Sequence, residues 1–95
     1  MAERDLAEQI KQEGSFDEVN TIVAQFDCWR NGRKYRVEVM DTGGPDQFRY
    51  SVVIINPNGT LNTKSRGNGG KTIREAIQVV HWSNLEMDEN ALAGC

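Results

Sequence analysis

Histidine and cysteine are scarce in this chain: one histidine and two cysteines in 95 residues. That leaves little from which to build a metal site, and no Cys, Asp or Glu stands at a metal-ligand spacing from His81. No Ser–His–Asp arrangement can be argued around His81, which reads as a structural or surface residue. Glu38, Asp41 and Asp46 stand singly beside loops, and single carboxylates there are ordinarily solvated. We therefore expect no catalytic residue, no metal and no cofactor, and the chain does not read as an enzyme. There is no long hydrophobic run, and nothing approaches the ~20 apolar residues needed to cross a bilayer. The first residues, MAERDLAEQIKQEG, have no apolar core and do not read as a signal peptide. A length of 95 residues suits one domain (1–95) with one small core. Cys28 is expected on the inner face of a hairpin, and Cys95 is too remote in pattern to be a good disulfide partner. A buried free cysteine suits a reducing compartment, so a cytoplasmic location is expected.

The chain does contain one sharp signal. Asn31-Gly32 lies between two runs of alternating apolar and polar residues, the strongest local mark of a β-hairpin. A two-residue turn sets Arg30 opposite Arg33. Cys28 then faces Tyr35, Phe26 faces Val37 and Ala24 faces Val39 on one side. Asp27 faces Arg36 and Trp29 faces Lys34 on the other, an opposite-charge pair and a cation–π pair. Residues 15–28 also fit a helix, with a capping box at Ser15–Glu18. The strand is preferred because Thr21, Ile22 and Val23 are β-branched and only a strand gives this register.

The rest of the chain gives an α+β reading. A helix is expected over 3–13, with a narrow stripe of Leu6, Ala7 and Ile10 and Gly14 past its end. An antiparallel four-stranded meander is expected over 20–65. Its second strand covers Lys34–Asp41 and its third Phe48–Ile55. Asn56–Thr60 is a turn, either type I with a bulge at Gly59 or a two-residue Asn58-Gly59 loop. The choice decides the face of Leu61. A short polar fourth strand follows, then a flexible glycine-rich loop at Ser65–Gly70. A C-terminal helix over 71–84 packs on the sheet, its core face formed by Ile73, Ala76, Ile77 and Val80. Trp82 falls on the opposite side of that helix at 100° per residue. Residues 86–95 read as a loose acidic tail.

Two surfaces emerge as candidates. The second sheet face carries Trp29, Met40, Val53 and Ile55 beside Val23. Either the N-terminal helix covers them or they form an exposed patch of the kind that binds protein. Trp82, on the outer helix face, joins them as a candidate protein-binding residue. The other surface is basic. Net charge is −3, yet residues 47–76 hold five bases and one acid, while the ends of the chain, 1–20 and 77–95, are acidic. Lys64, Arg66, Lys71 and Arg74 lie here, so nucleic-acid binding is the alternative to protein binding. SRGNGGKT (65–72) approaches a phosphate-binding loop, but Ser65 stands where the first glycine belongs and a polar strand precedes it.

Gly67, Gly69, Lys71 and Arg74, with Lys64 and Arg66 before them, also resemble the end of a double-stranded-RNA-binding domain. There a glycine-rich turn leads into a helix whose lysines grip phosphates. The order helix, antiparallel strands, helix is similar too. The resemblance covers residues 34–80 and implies duplex-RNA binding by those basic residues. This chain has one lysine at the helix start and an acidic balance overall. In size and charge alone it resembles inhibitors and adaptors carried by phages and mobile elements. The preferred expectation is thus a small cytoplasmic binding module whose partner is another protein. A second copy of the chain is an admissible partner, and a membrane is not expected to be one.

Overall fold

The computed structural model describes residues 3–44 and 46–92. The fold is α+β, with a three-stranded antiparallel sheet. In chain order come α1 (Glu3–Gly14), β1 (Thr21–Arg30), β2 (Arg33–Asp41) and β3 (Tyr50–Ile55). A helix α2 (Ile73–Gln78) and 3₁₀ helices at Trp82–Met87 and Glu89–Ala91 follow. The sheet order is β1-β2-β3. No described helix is long and apolar enough to cross a membrane.

The hairpin forms as its sequence dictates. Asn31 (φ 53°) and Gly32 (φ 77°) both take the left-handed conformation that a type I′ turn requires. The pairs Arg30–Arg33, Trp29–Lys34, Cys28–Tyr35, Asp27–Arg36, Phe26–Val37 and Ala24–Val39 are all present. A bulge between Ile22 and Ala24 keeps Thr21 opposite Asp41. Thr21 and Ala24 therefore share one side of the sheet although three positions apart.

That side is the covered one. Tyr35, Val37 and Val39 from β2 and Val52 and Ile54 from β3 form its base, and Ala76, Val80, Leu85 and Ala91 close over them. Cys28 lies on the same side, opposite the buried Tyr35, but is exposed. The expectation of a buried thiol fails there, and Cys95 lies outside the described residues.

Further expectations are corrected. The sheet has three strands, not four. After β3, Asn56–Gly59 closes a turn with Gly59 at φ 90°, the bulged type I form. Two isolated bridges to β3, Ile55–Leu61 and Tyr50–Gly70, follow in place of a strand. Asn62 ends the pairing begun at Leu61. Its side chain is fully buried, and Nδ2 donates to Asn56 Oδ1 (2.8 Å) and to the Leu85 carbonyl (2.9 Å). Its Oδ1 accepts from the Lys64 and Ser65 amides and from Ser65 Oγ. A side chain that satisfies the backbone in this way replaces a strand ladder with a fixed loop.

The glycine-rich segment is packed rather than flexible. Gly70 pairs with Tyr50 through two backbone hydrogen bonds of 2.9 and 3.0 Å. A Cβ on Gly70 would stand 2.7 Å from the Ala76 nitrogen, so only glycine allows this approach to α2.

The C-terminal helix is short. It starts at a Thr72 cap that accepts from the Glu75 amide, and it stops at Gln78 instead of running to residue 84. The His81 amide, which an α-helix would direct to Ile77, donates to the Ser65 carbonyl at 2.8 Å. Ala76 and Val80 face the core, while Ile73 and Ile77 are exposed. Residues 86–92 are not a loose tail. Leu85, Asp88 and Ala91 are buried, and Asp88 accepts from the Thr63 and Asn90 amides.

Candidate protein-binding face

Side chains alternate across β2. Tyr35, Val37, Val39 and Asp41 point into the core, so Lys34, Arg36, Glu38 and Met40 point the other way. The register extends this second face into a grid. Met40 lies between Ile22 and Ser51, Glu38 between Gln25 and Val53, and Arg36 between Asp27 and Ile55. Leu61 continues the last row beyond Ile55. At the hairpin end Trp29 stands opposite Lys34, whose Nζ is 6.0 Å from the indole centroid.

The structure thus brings together four of the residues singled out in the sequence: Trp29, Met40, Val53 and Ile55. It adds Ile22 and Leu61. Ile22 sits at the bulge, which no local pattern announces. Leu61 was legible only once the turn at Asn56–Gly59 was known to be bulged. Met40, Val53 and Ile55 are half-buried, whereas Ile22 and Leu61 are exposed and Trp29 is 66% exposed. Helix α1 meets the sheet chiefly at β1. Of its apolar stripe, Ala7 is buried while Leu6 and Ile10 are exposed.

Charge on the face is mixed. Asp27 lies 3.8 Å from Lys34 Nζ and 4.0 Å from Arg36 Nε, all three solvated. Such pairs contribute little to stability but fix the direction of long side chains across the middle of the grid. Apolar positions flank them at Ile22–Met40, at Val53–Ile55–Leu61 and at Trp29.

Trp82 is elsewhere. It begins a 3₁₀ helix, so the helical angle that put it on an outer face does not apply. It packs against the core, half-buried, and its Nε1–H donates to the Ile77 carbonyl at 3.0 Å. The covering segment is tied to the hairpin tip beside it. Arg30 donates to the Trp82 carbonyl and Asn31 Nδ2 donates to Glu86 Oε1, each at 2.8 Å.

Lys64, Arg66, Lys71 and Arg74 are all exposed. Lys64 shares a groove with Asp88 and Glu89, and the Lys71 amide is held by the Glu75 carboxylate at 3.0 Å. Arg74 flanks the exposed Ile73 and Ile77.

The carboxylates have structural partners. Asp41 is buried and receives two hydrogen bonds from Arg49, at 3.1 and 3.2 Å, and one from the Gly43 amide. That pairing raises the Arg49 pKa further above its ordinary value. Asp88 is held below the usual carboxylate range by the Thr63 and Asn90 amides. Among the described residues no three His, Cys, Asp or Glu side chains cluster as a metal site would need. No known protein family, curated protein or solved structure matches the chain.

Proposed function

We propose that this chain is a non-catalytic binding module that docks another protein on the open face of its sheet. One observation carries the reading. On the side of the sheet away from the core, Trp29 and Leu61 are exposed and Val53 and Ile55 half-exposed around a mixed-charge centre. A partner with apolar contacts and a polar, charge-bearing surface between them fits that pattern, since interfaces combine aromatic and aliphatic anchors with a satisfied polar rim. A reducing compartment such as the cytoplasm is part of the proposal, because it would preserve the exposed Cys28 thiol.

The nucleic-acid alternative has weaker support. Phosphate binding needs several cations acting together. Here Lys64 and Lys71 each have acidic neighbours, and α2 has six residues, too short to act as a helix laid along a groove.

The test uses the purified chain as bait. A partner retained by the wild type should be lost with Ile55→Lys. Against that partner, purified, Trp29→Ala should weaken binding by about 30-fold, equivalent to ~2 kcal/mol. If Ile55→Lys binds as the wild type does, the face is not the site. If alanine at Lys64, Arg66, Lys71 and Arg74 instead removes co-purifying material with a high 260/280 absorbance ratio, the module binds nucleic acid.

A further inference from the structure

β1 is the outer strand of the sheet, and among the described residues it pairs with β2 alone. Eight of its ten residues are exposed. Edge strands of this length are ordinarily guarded by charged side chains, proline or a bulge in their course. β1 has neither lysine nor proline, its charged residues Asp27 and Arg30 are engaged by Lys34, Arg36 and the Trp82 carbonyl of the same chain, and its bulge lies near the start, at Ile22–Ala24.

The hairpin register shows what this edge offers. A two-residue turn makes Arg30–Arg33 a hydrogen-bonded pair, so Cys28–Tyr35, Phe26–Val37 and Ala24–Val39 are bonded pairs too. The N–H and C=O groups of the intervening residues, Gln25, Asp27 and Trp29, therefore point away from β2 along the open edge. On the covered side, the core layer stops abruptly at this strand. Val37 is buried, yet its neighbour Phe26 is 53% exposed.

We infer that a second copy of the chain pairs with this edge. β1 lies antiparallel to the partner's β1, with the two-fold axis beside Phe26, and the two sheets become one of six strands. This arrangement does three things together. It satisfies the outward groups, with Gln25 opposite the partner's Asp27. It places Phe26 against the partner's Phe26 in a non-hydrogen-bonded pair, where side chains approach most closely. It also continues the core layer of one copy into that of the other, which a foreign strand with no core of its own would not do.

The sequence selects the register. Centring on Asp27 would set two carboxylates opposite each other, which is destabilising. Centring on Cys28 would pair only residues 26–30 and leave the other half of β1 unpaired. Centring on Phe26 uses the strand from Ile22 to Arg30 and keeps the bulge at the ends of the pairing.

The inference is independent of the open face, which stays bare in the dimer.

Sedimentation equilibrium of the full chain should give twice the monomer mass, dissociating on dilution. Asp27→Pro removes an outward N–H while leaving the β2 ladder intact, and should return the mass to one chain with an unchanged circular dichroism spectrum. Phe26→Lys provides the same reading should the proline variant fail to fold. In a Cys28→Ser, Cys95→Ser background, Phe26→Cys should form a disulfide-linked dimer under mild oxidation. Ile55→Lys should leave the dimer unchanged. A single-chain mass up to the solubility limit would overturn the inference. So would a dimer that survives both edge variants or is lost with Ile55→Lys. Crosslinking through Cys28 in a Cys95→Ser chain, without crosslinking through Phe26→Cys in the background lacking both native cysteines, would overturn it as well.

Discussion

Arg30 reaches across 52 positions of sequence to donate a hydrogen bond to the Trp82 carbonyl. The contact ties the tip of the hairpin to the segment that covers the core, with the Trp82 ring packed beneath it. Trp82→Ala should therefore lower stability by about 1–3 kcal/mol, less than for a fully buried tryptophan because the ring is half-exposed. Arg30→Ala should cost about 0.5–1 kcal/mol, the range for a solvated hydrogen bond. Urea denaturation of the three proteins measures both. An unchanged midpoint for Trp82→Ala would mean that the indole adds nothing to the core.

Asn62→Ala should be the most damaging polar substitution in the chain. It removes five hydrogen bonds at once and leaves the Leu85 carbonyl and the Ser65 amide buried without that partner. A loss of about 3 kcal/mol or more is expected, since each unsatisfied buried group costs about 1–3 kcal/mol. The same denaturation experiment checks it, with Asn58→Ala at the exposed turn as the milder comparison.

Helix α1 ends on a residue in a conformation that only glycine adopts easily. Ser15 has φ 55°, the Phe16 amide donates to the Lys11 carbonyl and the Ser15 amide to that of Gln12. This is a Schellman cap with serine at its left-handed position. Ser15→Gly should stabilise the chain by about 0.5–1 kcal/mol by removing the Cβ penalty. A raised melting temperature is the readout. A lowered one would show that α1 ends differently in solution.

Asp88 introduces a pH dependence. Its carboxylate accepts from the Thr63 amide, then from the Asn90 amide, and its pKa lies below the unfolded value. A depressed carboxyl pKa gives a stability contribution that is complete above the unfolded pKa, near 3.9, and is lost as pH falls through the folded one. The wild type should therefore lose the Asp88 contribution to its stability as pH falls below about 4. Asp88→Asn should be less stable at neutral pH and show a shallower acid limb in thermal melts. Parallel acid limbs would assign the effect to other carboxylates.

The hairpin was legible in the sequence because its information is local. Asn31-Gly32 admits one turn, and the turn fixes six cross-strand pairs on both faces. The grid of Trp29, Met40, Val53 and Ile55 follows from the same alternation. What the sequence concealed was set by distant partners. The expected fourth strand gives way to Asn62, whose side chain is bonded to Leu85, 23 residues away. The helix expected to run to residue 84 stops because the Ser65 carbonyl takes the His81 amide. With that stop, the angle that set Trp82 apart from the core no longer holds. Glycines 67 and 70 read as flexibility in a string of letters. In the fold they are places where two backbones approach too closely for a side chain, and composition cannot distinguish the two.

The tie between Arg30 and Trp82 also orders events in time. A hairpin with a two-residue turn closes in about 1–10 μs, long before a chain being synthesised at about 5–20 residues per second has reached position 82. During those seconds Tyr35, Val37 and Val39 have no cover from Val80, Leu85 or Ala91. The nascent hairpin then shows water two uncovered faces and an open edge, and it is the stage of synthesis most exposed to wrong pairing between neighbouring chains.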